Sequence, residues 1–125
     1  MTITPYLTLS DASAAIEFYK KAFGAVEKAR MPGEDGKRLM HAELEITGGR
    51  LFLSDDFQNA GGKPAKASVF IGLDKAADVD RLANSAKAAG ATIDQAPQDM
   101  FWGDRFAALT DPFGHHWMLG APKDK

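Results

Sequence analysis

Three histidines, His41, His115 and His116, are the only imidazoles in a 125-residue chain that has no cysteine. Two of them are adjacent in "DPFGHHWMLG" (111–120), beside Asp111 and Trp117, a composition that suits a metal site or a proton relay. Adjacent side chains of an extended strand point to opposite faces, so these two rings cannot grip one ion from within a flat strand. His115 shares a face with Trp117, and His116 shares the other with Met118. The expectation is a packed His115 near a turn and a His116 that lines or rims a site.

His41 stands in "MHAELEI", which alternates strictly. His41, Glu43 and Glu45 fall on one face, and Ala42, Leu44 and Ile46 on the other. A histidine and a glutamate two apart on one strand face are neighbours. They could share a proton, raise the imidazole pKa or bind a cation, or simply form the polar face of a half-exposed strand. In "FWGDR" (101–105), Trp102 stands on a glycine-containing loop. Trp102 could wall a pocket or sit in a subunit interface. Arg105 could pair with an anionic group of a ligand, or brace the loop through Asp104 or Asp111. Tyr6 could offer a hydroxyl inward or pack. Asp55 and Asp56 are expected to cap a strand end.

Other chemistries are absent from the sequence. Without cysteine there are no disulfides, thiol nucleophiles or thiolate metal sites, a usage compatible with the cytoplasm. There is no GxSxG elbow, P-loop or GxGxxG fingerprint, and "PGEDG" (32–36) lacks the spaced oxygen ligands of an EF-hand. Net charge is -2 with acids and bases interleaved, so no nucleic-acid footprint is visible. Apolar runs fall far short of the roughly 20 residues that span a bilayer. The start, "MTITPYLTLSD", has neither a basic nor an apolar leader region. With 45% apolar and 26% charged residues, a soluble globular chain is expected.

The elements that must position these residues come in two similar halves. "TPYLTLSDASAAIEFYKKAFGA" reads as a strand, a Ser10/Asp11 cap, and a helix with Ala15, Ile16, Tyr19 and Phe23 at helical spacing, closed by Gly24. "ASVFIGLDKAADVDRLANSAKAAGA" reads as a strand from Val69 to Leu73 and a helix carrying Val79, Leu82, Ala86 and Ala89, closed by Gly90. "HAELEITGGRLFLSD" (41–55) then lies over "FAALTDPFGHHWMLG" (106–120), so that Gly49 falls on Gly114, Phe52 on Trp117 and Leu53 on Met118. Each half is a βαβββ module, residues 1–58 and 67–122 of a single domain, joined by a Gly/Ala/Lys-rich linker at 59–66. "PGEDG" and "DMFWGD" are the loops that lead into the third strand of each.

The quoted motifs, with "LTDPFGHHW" the most specific, resemble the vicinal oxygen chelate superfamily of glyoxalase I, bleomycin-resistance proteins and extradiol dioxygenases, in particular its PhnB-like branch. The resemblance implies an α+β fold in which duplicated βαβββ modules form curved mixed sheets around a cavity, and a homodimer. Carried over from metal-dependent members, the ligand positions fall on Thr4, roughly Leu53, roughly Ser68 and Met118. Leucine and methionine cannot serve a divalent ion that needs oxygen or imidazole, so no metal and no cofactor are expected. The resemblance also turns the His116/Met118 face toward the cavity, and His115 and Trp117 toward the helices, with Trp117 packed as Phe52 is in the first half.

Three functions remain open. The first is a metal-independent small-molecule binding protein that sequesters a drug or metabolite, with Tyr6, His41, Glu43, Trp102, Arg105, His116 and Met118 as candidate ligand contacts. The second is a lyase- or isomerase-like enzyme using His41/Glu43 or His116 for proton transfer, with unusual metal ligation through His41, Glu43 and His116 as a variant. The third is an interaction module with a vestigial cavity. A fold of this kind does not choose among them.

Overall fold

The computed structural model describes residues 3–56 and 66–124; the expected linker, Lys66 apart, lies outside them. The chain is α+β. Its first unit holds β1 (Tyr6–Leu9), most of α1 (Ala12–Phe23), β2 (Val26–Pro32), β3 (Leu39–Ile46) and β4 (Gly49–Asp55). Its second unit holds β5 (Ser68–Gly72), α2 (Ala76–Ala89), β6 (Thr92–Asp99), β7 (Asp104–Thr110) and β8 (His116–Pro122), and takes Lys21–Phe23 from the end of α1. Each unit has a four-stranded mixed sheet, ordered β1-β4-β3-β2 and β5-β8-β7-β6. In each, the first strand pairs parallel with the last, and the other neighbours are antiparallel.

The helices start and stop where their sequence signals stand. Asp11 caps α1 and accepts from the Ala14 amide at 3.0 Å, and Gly24 closes the helix at φ 70°. Ala15, Ile16, Tyr19 and Phe23 are buried. In α2, Val79, Leu82, Ala83 and Ala86 are the buried residues at helical spacing. That helix packs on β6, β7 and β8. Arg105 of β7 fastens it, with Nε 2.6 Å and Nη2 3.1 Å from the two carboxylate oxygens of Asp80. The guanidinium holds the Asp80 carboxyl below its ordinary range, against a smaller opposing effect of burial.

Two buried aspartates close the strand ends. Asp55 is 7% exposed and accepts from the amides of Ala12 at 2.7 Å and Leu39 at 2.6 Å, which ties β4 to the start of α1 and of β3. Asp111 accepts from the amides of Phe113 and His115 with one oxygen and from the Trp117 indole with the other, at 2.9–3.0 Å. Its side chain thus mimics a backbone turn and anchors a buried aromatic at once.

The two β-hairpins differ in length, and this corrects the expected alignment. β3 and β4 close through Thr47 and Gly48 alone, at φ 45° and 85°. Both values lie in the left-handed region that a two-residue type I′ turn requires. β7 and β8 close through residues 111–115, with the Asp111 amide donating to the His115 carbonyl at 2.9 Å and three residues at the tip. The second hairpin therefore has one residue more. Leu53 lies opposite Ala42 as Leu119 lies opposite Ala107, so Leu53 matches Leu119, Leu51 matches Trp117, and Phe52 matches Met118. A one-residue slip moves a side chain to the other face of the sheet. Burial agrees: Leu51, Leu53, Trp117 and Leu119 are at most 3% exposed, while Phe52 and Met118 are partly exposed. Trp117 does face the helix side as expected, but Phe52 does not pack as its counterpart.

Thr47 is β-branched at positive φ, a conformation that costs on the order of 1 kcal/mol or more. Thr47→Asn, giving the Asn-Gly turn, should raise stability by about 0.5–1 kcal/mol in urea unfolding, with an unchanged dependence on denaturant. Because the Asp80 carboxyl is depressed in the folded chain, its contribution is present above the unfolded value near pH 3.9 and is lost as pH falls through the folded value. Asp80→Asn should therefore lower the unfolding midpoint at pH 7, and the deficit should shrink as pH falls below the unfolded value.

Candidate functional site

Each sheet has one sealed face and one open face, and the candidate residues divide between them. On the first sheet, β3 shows the expected alternation: Ala42, Leu44 and Ile46 are buried, and His41, Glu43 and Glu45 are partly exposed. Tyr6 of β1 and Glu43 of β3 are both register partners of Phe52 of β4, so these side chains occupy one row of the open face. His41 lies beside that row. Its ring centroid is 5.0 Å from Phe52, nearly edge-on, and 5.9 Å from Tyr6. His41 Nε2 is 3.4 Å from Glu43 Oε1. The result is an aromatic floor, half-exposed at Tyr6, with an imidazole–carboxylate pair at its side.

The open face of the second sheet is built differently. Phe70 of β5 is the register partner of Met118, which pairs in turn with Ala108 of β7. The Phe70 ring lies over Gly120, where an added Cβ would stand 2.7 Å from the ring, so the ring in this position uses the space the glycine leaves. Trp102, in the loop between β6 and β7, is half exposed and sits edge-on to Phe101 at 5.1 Å and to Phe106 at 6.1 Å. One row along from Met118, His116 is the register partner of both Ser68 and Thr110. His116 Nδ1 is 3.0 Å from Thr110 Oγ1, and that hydroxyl donates to Asp94 Oδ2 at 2.6 Å.

His115 is a structural residue. It is 2% exposed, and its Nδ1 accepts from the Ala67 amide at 3.0 Å, which holds the chain just before β5 to the end of the second hairpin. Arg105 also turns away from the open face. Rather than Asp104 or Asp111, it meets Asp80, Asp99 at 3.2 Å and the Pro97 carbonyl at 3.4 Å. It lines a small hollow of about 300 Å³ with Ala76, Ala77, Asp80, Asp99 and Asp124. Hydrogen bonds to two carboxylates raise its already high pKa further, so its charge is committed to this brace.

Phe52, Phe70, Phe106, Thr110 and Asp94 had no place among the expected contacts. Phe52 matches Met118 and not Trp117, and so stands on the open face. Phe70 could have been found from the alternation of "SVFIG", in which Val69 and Ile71 take the opposite face. Asp94 gave no signal, because it stands at a β-bulge: Ile93 pairs with Leu109, but Gln95 pairs with Ala108.

The positions at which metal-dependent relatives hold an ion can now be read in register. Leu53 is on the sealed face and Phe52 takes its place on the open one, while Met118 is on the open face of its own sheet. A phenyl ring and a thioether do not fit a hard or borderline divalent ion. Among the described residues, no group of three His, Asp or Glu side chains is arranged to hold a metal. None of the described helices is long and apolar enough to cross a membrane.

Comparison with known proteins agrees with this architecture. The chain is 46% identical over 126 residues to Mb0911c, an uncharacterised protein of Mycobacterium bovis, across 96% of this chain and 82% of that one. Protein PA1353 from Pseudomonas aeruginosa is 27% identical, with a TM-score of 0.81 over 99% of both chains. A PhnB protein from Bacillus cereus shares the fold at 18% identity, with a TM-score of 0.73 over 97% of this chain and 99% of that one. Residues 3–119 match the family model described as Glyoxalase/Bleomycin resistance protein/Dioxygenase superfamily. With strand–helix–three-strand order in each unit and the same sheet order in both, the chain belongs to that superfamily.

Proposed function

We propose that this chain is a small-molecule binding protein that works without a metal and sequesters an aromatic or otherwise apolar drug or metabolite on its open sheet faces. The observation that carries the reading is the cluster on the first sheet. Tyr6 and Phe52 flank His41 at 5.9 and 5.0 Å, and Glu43 is 3.4 Å from the imidazole. Aromatic surface with a few placed polar groups is the usual make-up of a ligand site. The second sheet adds Phe70, Met118 and Trp102 as apolar surface and His116 as a polar contact. Arg105 leaves the set of ligand contacts because its guanidinium is already paired.

A second reading rests on the His41–Glu43 distance alone. A carboxylate beside an imidazole orients the ring and can support proton transfer, which would make the chain an enzyme acting on a small substrate. The chain acts as a homodimer in either case, a proposal supported by exposed apolar residues such as Phe101, 94% exposed, and Trp102.

The test is a thermal-shift titration of metal-stripped protein, first with Zn²⁺, Ni²⁺, Mn²⁺, Co²⁺ and Fe²⁺, then with a panel of aromatic amines, phenols and aromatic acids. A ligand at about 100 times its Kd stabilises by about 2.7 kcal/mol, a shift of several degrees for a domain of this size. The expected result is no shift with any ion and a saturable shift with at least one aromatic compound. That shift should weaken about tenfold in affinity in His41→Ala while the ligand-free midpoint stays in place. A saturable metal shift abolished by His41→Ala would sink the metal-free reading and favour the enzyme.

A further inference from the structure

Asp94, Thr110 and His116 form a chain of hydrogen bonds across three strands of the second sheet, and counting its protons assigns the histidine tautomer. The Thr110 hydroxyl has one proton. It lies on the line to Asp94 Oδ2, at 2.6 Å, the length of a charge-assisted O–H···O⁻ bond. Thr110 Oγ1 can then only accept from His116 Nδ1, 3.0 Å away. The ring proton therefore sits on Nδ1, and Nε2 keeps its lone pair. Nε2 has no partner among the described residues, and His116 is exposed on the open face. Asp94 stands at the β-bulge between Ile93 and Gln95, two residues along from Thr92, the register partner of Thr110, and bulges of this kind are found next to functional sites.

We infer that Asp94 and Thr110 are positioning residues that fix His116 as the Nδ1–H tautomer, making Nε2 a dedicated acceptor for a ligand whose apolar ring lies on Phe70 and Met118 and which presents one O–H donor. Phe70 and Met118 occupy the next same-face row, about 7 Å along the strands, so a ring and its hydroxyl can reach both at once. The ligand class is a phenol-like compound. This subsite deepens the binding reading above and rests on it for the ligand, whereas the tautomer is a property of the ligand-free protein.

Two measurements test it. Two-bond ¹⁵N–¹H correlation spectra of the ligand-free protein at pH 8 should show His116 protonated on Nδ1 and bare on Nε2. Thr110→Val and Asp94→Ala should move the proton toward Nε2, and Thr110→Ser should keep it on Nδ1. A wild-type His116 that carries its proton on Nε2 overturns the positioning role. Titration with 2-naphthol and 2-methoxynaphthalene, which lacks the donor, should then show the naphthol binding about five- to tenfold tighter, an advantage lost in Thr110→Val and in His116→Ala. Equal affinities overturn the ligand class. If neither probe binds, the phenol subsite fails; if the aromatic panel binds nothing either, the small-molecule reading itself fails, and the tautomer spectra still decide the positioning role.

Discussion

The period-two alternation of the strands governs everything else in this molecule. Each sheet has one face sealed by apolar side chains, and a side chain that lands on the other face is free for chemistry. Leu44 and Leu53 on one sheet, and Leu109, Trp117 and Leu119 on the other, are almost wholly buried. Their neighbours one residue away are the ones a ligand could touch: Glu43, Phe52, Ala108, His116 and Met118. Which residue is which depends on register alone.

Register in turn depends on how each hairpin closes. The first uses two residues at positive φ, and the second spends a third on a tip held by the Asp111 carboxylate. That carboxylate also takes the Trp117 indole proton, so turn and core are fixed by a single buried group. Asp55 does the corresponding work in the first unit by capping backbone amides of α1 and β3. Buried carboxylates bonded to backbone amides and an indole are structural; they leave the histidines and hydroxyls of the open faces as the groups a ligand could meet. His115 belongs with them, since its Nδ1 is occupied by the Ala67 amide. Adjacent in sequence to His116, it is separated from it in function by the pleat of one strand.

The open faces of the two sheets have diverged chemically on a common plan. The first carries Tyr6, His41, Glu43 and Phe52, and the second Phe70, Trp102, Met118 and the Asp94–Thr110–His116 chain. Neither offers an oxygen- and imidazole-rich ligand set at the places where metal-dependent members of the superfamily bind ions. Aromatic side chains occupy much of both faces instead, and this is the surface on which the proposed binding of an apolar compound rests.

Local physics was enough to read the elements from the sequence. Helix periodicity, the Asp11 cap, the glycines at 24 and 90, and strict alternation in "MHAELEI" act over a few residues, so the α+β order of elements, the face of His41 and the split of His115 and Trp117 from His116 and Met118 are legible in the sequence. The family resemblance says which of those two faces turns to the helices. The family motif was legible too. What only the tertiary structure decided were relations between strands. The extra residue in the second hairpin makes Met118, not Trp117, the counterpart of Phe52, because hairpin length is a property of two strands pairing and not of either one. The partners of Arg105 are Asp80 and Asp99, on α2 and the end of β6, where α2 docking and sheet register place them. Asp94 meets Thr110 only across the pairing of β6 with β7, two residues along from Thr110's register partner Thr92. Short-range patterning specifies which face a residue takes within its own strand; which residues share that face across strands is set by pairing, and pairing is a non-local choice.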